Sequence, residues 1–314
     1  AQYLMSQNRS AFPALSRRNF LALSAAVPAV LATQSLAPHA LAAEPSAPAM
    51  APSAKKYPIG LEMYSVRGEQ AKDMANTLTQ VAKMGYEVVE FFSPYFAWKV
   101  PYAKGIKTLM DDLGLRCYST HNHIESITPG ETMDHAIELN QILGARTLVM
   151  ATAGNTANTA AGWKHFAGLC TTAVEQLAPH GLNAGFHNHQ TEWRKLDGDL
   201  RAMDILAANT PKEFVLQFDV GTCMEAGADP IAWIKANPGR IKVAHLKDWA
   251  PGTRAEEKGY RVLFGEGVSP WKEIFAALES GGGVEYYLME QEGSRFPEFE
   301  TAERCLATWK KMRG

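Results

Sequence analysis

The chain has 314 residues, 46% of them hydrophobic and 20% charged, with 31 Lys and Arg against 33 Asp and Glu. This is the composition of an ordinary globular protein, long enough for one barrel of about 250 residues or for two smaller domains. Its four cysteines, Cys117, Cys170, Cys223 and Cys305, are far apart and form no CxxC pair, which argues against a disulfide framework or a thiolate metal site and leaves buried free thiols.

The first 56 residues differ from the rest. Ser16-Arg17-Arg18-Asn19-Phe20-Leu21 is a twin-arginine motif, followed by a weakly apolar run from Ala22 to Leu36 and by Ala40-Leu41-Ala42, the small-x-small pattern of a signal-peptidase site. This order predicts a signal peptide over residues 1–42, read by the twin-arginine export machinery and leading to the periplasm. A Pro/Ala/Ser-rich linker follows over 43–56. The apolar run is short and broken by Pro28, so no stable membrane association is expected. Removing residues 1–42 takes away Arg9, Arg17 and Arg18 and no acid, leaving 28 basic against 33 acidic residues and a formal charge of −5. An acidic domain without a basic stripe is a poor nucleic-acid binder.

From Tyr57 to the end, 57–314, apolar runs alternate with helical patterns. The strand candidates are Ile59–Ser65, Val88–Phe92, Arg116–His121, Thr147–Ala151, Asn183–Asn188, Phe214–Asp219, Ile241–Leu246 and Tyr286–Gln291. Between them, apolar spacing near 3.6 marks helices such as Met74–Met84, Thr132–Leu143, Trp163–Leu177 and Trp271–Leu278. Gly85, Gly114, Gly144 and Gly181 stand where helices should stop. Strand–helix alternation implies a parallel sheet, and eight units close into a (β/α)8 TIM barrel more readily than they form an open sheet.

Such barrels place their chemistry at the C-terminal ends of the strands. Here those ends carry Glu62, Glu90, His121-Asn122-His123, His187-Asn188-His189 with Glu192 beyond, Asp219, His245-Leu246-Lys247-Asp248 and Glu290-Gln291. One such residue is commonly a cap or a satisfied core group. Acids and imidazoles at most of the strand tips need a shared cation, because each buried unpaired charge costs several kcal/mol. Mixed carboxylate and imidazole ligands suit Mn²⁺ first and Zn²⁺ second, with Co²⁺ or Fe²⁺ as further candidates.

Gly60-Leu61-Glu62-Met63-Tyr64-Ser65-Val66-Arg67, Phe186-His187-Asn188-His189, His245-Leu246-Lys247-Asp248, Phe264-Gly265-Glu266-Gly267 and Met289-Glu290-Gln291 resemble the sugar phosphate isomerase/epimerase family of xylose isomerase-like barrels. The resemblance keeps motif order over residues 57–312. It implies metal ligation by Asp219, His245 and Glu290, with Gln291 as the neighbour that replaces Glu290 if the register slips. Strand 5 departs from the pattern: many epimerases of this group carry there a Glu that is both ligand and base. The nearest acid here is Glu192, which becomes the expected fourth ligand.

That departure leaves His187 or His189 as general base, with Glu290 as the alternative. Strand alternation puts both histidines on one face, where support of the metal ligands is their other role. Glu62, Arg67, Glu90, His121, His123, Lys247 and Gln291 are expected to hold a small-molecule sugar substrate, and Tyr95, Trp98 and Trp249 to stack on it. The expected reaction is removal of a proton next to a carbonyl through an enediolate, giving isomerisation or epimerisation. Elimination of a β-substituent, cleaving a 3-keto-glycoside, is the alternative, and a non-catalytic sugar-binding barrel the third reading. The oligomeric state stays open, a dimer included.

Overall fold

A computed structural model of the chain describes residues 57–154, 159–196, 198–252 and 259–313. The signal peptide and linker expected over 1–56 lie outside the described residues. The elements run β1 (Ile59–Glu62), α1 (Arg67–Lys72), α2 (Met74–Met84), β2 (Val88–Glu90), α3 (Val100–Leu113), β3 (Ser119–Asn122), α4 (Glu131–Leu143), β4 (Thr147–Met150) and α5 (Ala160–Leu177). They continue with β5 (Asn183–His187), α6 (Ala202–Asn209), β6 (Val215–Asp219), α7 (Val220–Glu225), α8 (Pro230–Ala236), β7 (Val243–Leu246), α9 (Trp271–Ala277), β8 (Tyr286–Met289) and α10 (Glu298–Arg313).

The sheet order is β2-β1-β8-β7-β6-β5-β4-β3, with every pair parallel. The ends meet through the Val89 N–H to Arg116 carbonyl and His121 N–H to Phe91 carbonyl bonds, each 2.8 Å. The result is a nearly closed xylose isomerase-like TIM barrel, as the alternation predicts. The strands are shorter than the apolar runs: Met63–Val66, the end of the first run, winds into a 3-10 turn.

Helix limits follow local chemistry. In α2, Asp73 accepts the Asn76 N–H at the N-cap, Thr77, Leu78 and Val81 are buried, and Gly85 ends the helix. All four glycines expected at helix ends take positive φ, between 72° and 101°, where a Cβ would be strained. The four cysteines are free and buried. No helix among the described residues is long and apolar enough to cross a membrane.

Alternation along the strands divides the side chains. Leu61, Val89, Phe186, Leu216, Phe218, Leu246, Tyr287 and Met289 belong to the main hydrophobic cluster, packed between sheet and helices. The opposite phase faces into the barrel and changes chemistry with height. Near the N-terminal end, Val88, Val215, Val243, Tyr286 and Leu288 form a separate apolar cluster. Gly60 lies in this layer, and a Cβ there would meet Val88 and Leu288 at 2.7 Å. Two residues further along the same strands stand Glu62, Glu90, Gln217, His245 and Glu290, all buried.

Candidate active site

A cavity of about 500 Å³ opens at the C-terminal end of the barrel, and its wall includes Glu62, His121, His123, His187, His189 and Glu290. Another hollow of about 410 Å³ opens at the opposite end around Tyr118, Arg146, Lys242 and Tyr286 and holds none of the expected site residues.

Below the cavity, acids and bases alternate. Glu90 Oε2 lies 3.0 Å from His121 Nε2 and 2.9 Å from His245 Nε2. His245 Nδ1 is 2.6 Å from Glu290 Oε2. Lys247 Nζ is 2.9 Å from Glu290 Oε1, 2.8 Å from Asp219 Oδ2 and 2.7 Å from Glu292 Oε1. Gln217 ties the set together, donating to Glu90 at 2.8 Å and meeting His121 Nε2 at 2.7 Å.

These neighbours fix the protons. Burial would strip His121 of its charge, but Glu90 overrides it and carries the imidazole up to about 9. Burial likewise opposes a charged His245, yet its bonds to Glu290 and Glu90 lift it to about 10. Against the cost of burial, Lys247 and His245 hold Glu290 well below the carboxylate range. Burial pushes His187 well below the usual imidazole value, and His245 and His121 add to this. Glu62 goes the other way: burial, only partly countered by His121 and reinforced by Glu90 and Glu290, raises it to about 8. At neutral pH the wall therefore presents an ionised Glu290, a neutral His187 and a Glu62 that keeps its proton.

Two overlapping groups have donor atoms close enough for one metal ion, His187 with Asp219 and Glu290, and His121 with His187 and His245, each within 4.8 Å. In the first, His187 Nε2 stands 3.7 Å from Asp219 Oδ2 and 4.0 Å from Glu290 Oε2. Asp219 Oδ2 has no directed hydrogen bond, although the Lys247 charge is beside it. Buried carboxylate and imidazole donors of this kind fit a divalent cation. In the second, His121 Nε2 meets Gln217 and both His121 and His245 lie within ion-pair distance of the Glu90 carboxylate, which holds them as cations, so the acid-containing group fits better.

Several expectations change. Glu192 does not join the cluster: its Oε2 accepts the His189 N–H at 2.7 Å and its Oε1 the Thr191 hydroxyl at 2.8 Å. The chain turns into a 3-10 segment at Gln190, so this carboxylate folds back as a cap, while a His189 ring nitrogen accepts the Glu192 N–H. His187 takes the place beside Asp219 and Glu290. Gln291, in the opposite phase to Glu290, faces away from the barrel interior and donates to the Val262 and Gly293 carbonyls at 3.1 and 2.7 Å. It anchors a loop and is not part of the cavity wall.

Lys247 and Glu90 are not part of the cavity wall and act on the carboxylates and imidazoles behind it. Arg67 spends its guanidinium on the Tyr64 and Glu292 carbonyls. Tyr95 is buried among Thr120, Asn122 and Asn140, Trp98 packs on Phe91, and Trp249 is not in the wall. The cavity aromatics are instead Tyr64, Phe92 and Phe96.

Sequence reasoning passed over Gln217 and Glu292. Both lie two residues from a chosen site residue on the same strand face, and that spacing was the signal available. Asp248 serves the architecture of the loop that follows β7. Its Oδ2 accepts the Gly265 and Gly267 N–H groups at 2.9 and 3.0 Å and the Trp271 indole at 2.9 Å. The Phe264-Gly265-Glu266-Gly267 motif is thereby a pinned loop, and a Cβ at Gly267 would collide with the Asp248 carboxylate.

Comparison with known proteins agrees with this architecture. The model of the xylose isomerase-like TIM barrel family matches residues 78–311. A sugar phosphate isomerase/epimerase from Parabacteroides distasonis superposes with a TM-score of 0.66 at 23% identity, covering 84% of this chain and 96% of that one. The probable 3-DHS dehydratase AsbF from Bacillus anthracis gives 0.61 at 12% identity, covering 81% and 98%. The IOLI protein with a bound zinc atom gives 0.60 at 15%, covering 82% and 96%. At these identities the structural likenesses show a shared fold. No curated protein matches the sequence.

Proposed function

Because the chain belongs to the xylose isomerase-like TIM barrel family, we propose that it is a divalent-metal-dependent enzyme of the isomerase/epimerase type acting on a sugar or keto-sugar. The observation that carries this reading is the buried His187–Asp219–Glu290 group at a cavity of substrate size. His187, Asp219 and Glu290 would hold the ion, with Mn²⁺ ahead of Zn²⁺, and His245, expected from the sequence as a ligand, backs Glu290 through Nδ1 instead. When bound, the ion supplies polarisation of the substrate carbonyl and acidifies the neighbouring C–H.

The remaining steps belong to the side chains. Glu290, ionised and in the wall, takes the proton from that carbon. His189 uses one ring nitrogen to accept the Glu192 N–H, so in its neutral form the other nitrogen is a donor toward the substrate oxygen. That geometry favours His189 as the group that steadies the developing negative charge, and Glu290 over either histidine as base. Return of the proton at the neighbouring carbon or on the other face completes isomerisation or epimerisation.

The test is exchange of deuterium from ²H₂O into a panel of keto-sugars, followed by NMR with the metal-loaded protein. Loss of the C–H signal next to the carbonyl is expected. A fully loaded protein that exchanges none of the panel would overturn the reading. The twin-arginine segment makes this an exported, periplasmic enzyme. Replacing Arg17 and Arg18 together by Lys should hold the precursor in the cytoplasm, and normal periplasmic yield would remove that part.

A further inference from the structure

We infer that the chain has a second ligand site, a hollow between α6 and α8 that takes a small, singly charged carboxylate with an apolar body. The hollow measures about 540 Å³ and shares no lining residue with the reaction cavity, and its size is that of a small-molecule site. Thr210 and Lys212 in its wall lead into β6, and Arg240 leads into β7. It therefore lies toward the N-terminal ends of these strands, away from the reaction cavity. The inference does not depend on the reaction proposed above.

Arg240 is the first observation. It lines the hollow and is only 8% exposed. Its Nη1 donates to the Ala207 carbonyl and its Nη2 to the Thr210 hydroxyl, each at 2.7 Å. These bonds close the C-terminal end of α6, where a cation is favourable. They leave Nε without a hydrogen-bond partner. Among the described residues no carboxylate forms an ion pair with this guanidinium. Burial lowers its pKa below the usual arginine value, and Glu213 opposes that only from a distance.

Trp233 is the second observation, independent of the first. It lines the same hollow, is 7% exposed, and its indole Nε1 has no hydrogen-bond partner. An edge-on contact with Trp193 at 5.0 Å holds the ring in place. Buried donors are nearly always satisfied, because an unmet one costs free energy. Here two such donors belong to one wall, and an acceptor entering the hollow serves both.

The charges select the acceptor. Lys212 adds a second cation at the exposed edge. Asp204 is the acid in the wall, and it already stands 3.4 Å from Arg201 Nε. Two cations without acids of their own attract an anion, while Asp204 repels a doubly charged phosphate. An N–H from Arg240, another from Trp233 and the Lys212 ammonium suit the oxygens of one carboxylate. Three alanines and Pro238 complete the lining and offer an apolar body a dry surface.

Isothermal titration of the metal-loaded protein with benzoate, benzyl alcohol and inorganic phosphate tests this. Benzoate should bind with one molecule per chain, and the neutral alcohol and phosphate should bind more weakly. Lys212→Ala, at an exposed position, and Trp233→Phe, which keeps a ring and removes the N–H, should each weaken benzoate about 10-fold or more. Asp219→Asn should leave benzoate affinity as in wild type. No binding at millimolar benzoate would overturn the inference, as would unchanged affinity in either Lys212→Ala or Trp233→Phe, which would leave Arg240 as a helix cap alone. Loss of binding in Asp219→Asn would place benzoate in the reaction cavity and overturn it equally. Phosphate or benzyl alcohol binding as tightly as benzoate would remove the singly charged carboxylate as the ligand.

Discussion

The two ends of the barrel interior are built from the same strands in the same phase, yet they do opposite things. At the N-terminal end Val88, Val215, Val243, Tyr286 and Leu288 fill the interior with apolar volume. Two residues later, the same faces of β2, β6, β7 and β8 supply Glu90, Gln217, His245 and Glu290. Each strand thus carries a structural and a chemical position one pleat apart. The lower layer lets the upper one exist: charges deprived of water are tolerable only where rigid packing holds each against its partner. The lower residues contribute stability and the upper ones give part of it up for chemistry.

The largest contrast is expected at Asp219. Asp219→Asn should release the metal and lower activity by more than the roughly 10–100-fold lost when only a partner of a ligand is removed. Metal content by mass spectrometry alongside turnover checks it, and retained stoichiometric metal would show that the site is misplaced. At the other end, Leu288→Ala should cost about 2–5 kcal/mol in a denaturant titration while metal per folded molecule stays unchanged. Metal loss from that variant would mean that the two layers are not separable.

Glu62 sharpens the comparison through pH. Its folded-state value of about 8 lies above the ordinary 4.5, so the folded state binds an extra proton between those values. Stability from this group is whole below about 4.5 and falls as pH rises through about 8. Thermal melts of the metal-free protein should therefore lose stability across that window, and Glu62→Gln should flatten the decline. Parallel curves for the two proteins would reject the assignment. The smallest effect is expected at Glu192, where alanine should cost about 0.5–2 kcal/mol as a lost cap and leave metal binding intact. Weakened metal binding there would restore Glu192 as a ligand.

Much of the fold was legible in the sequence because it depends on local periodicity. Eight apolar runs, helices with 3.6-residue spacing and glycines at their ends suffice for a parallel barrel, and α2 runs over the predicted Met74–Met84. Most of the candidate site was legible for the same reason, since strand ends can be located and their acids and histidines read off. Alternation could also have exposed Glu292, which shares the phase of Glu290.

What the sequence could not contain was the direction of each side chain once the strand ended. Glu192 lies three residues past His189, and only the tight turn at Gln190–Trp193 returns its carboxylate to the His189 N–H. Lys247 is an exposed-looking cation in the sequence, and the closing of β6, β7 and β8 side by side surrounds it with Asp219, Glu290 and Glu292. Residue types and their spacing determined that acids and imidazoles would crowd one end of a barrel. Which of them pair, which keep a proton and which face the cavity was decided by contacts between strand ends far apart in sequence, such as Glu90 at the end of β2 with His245 on β7, because charge and hydrogen bonding act through space and not along the chain.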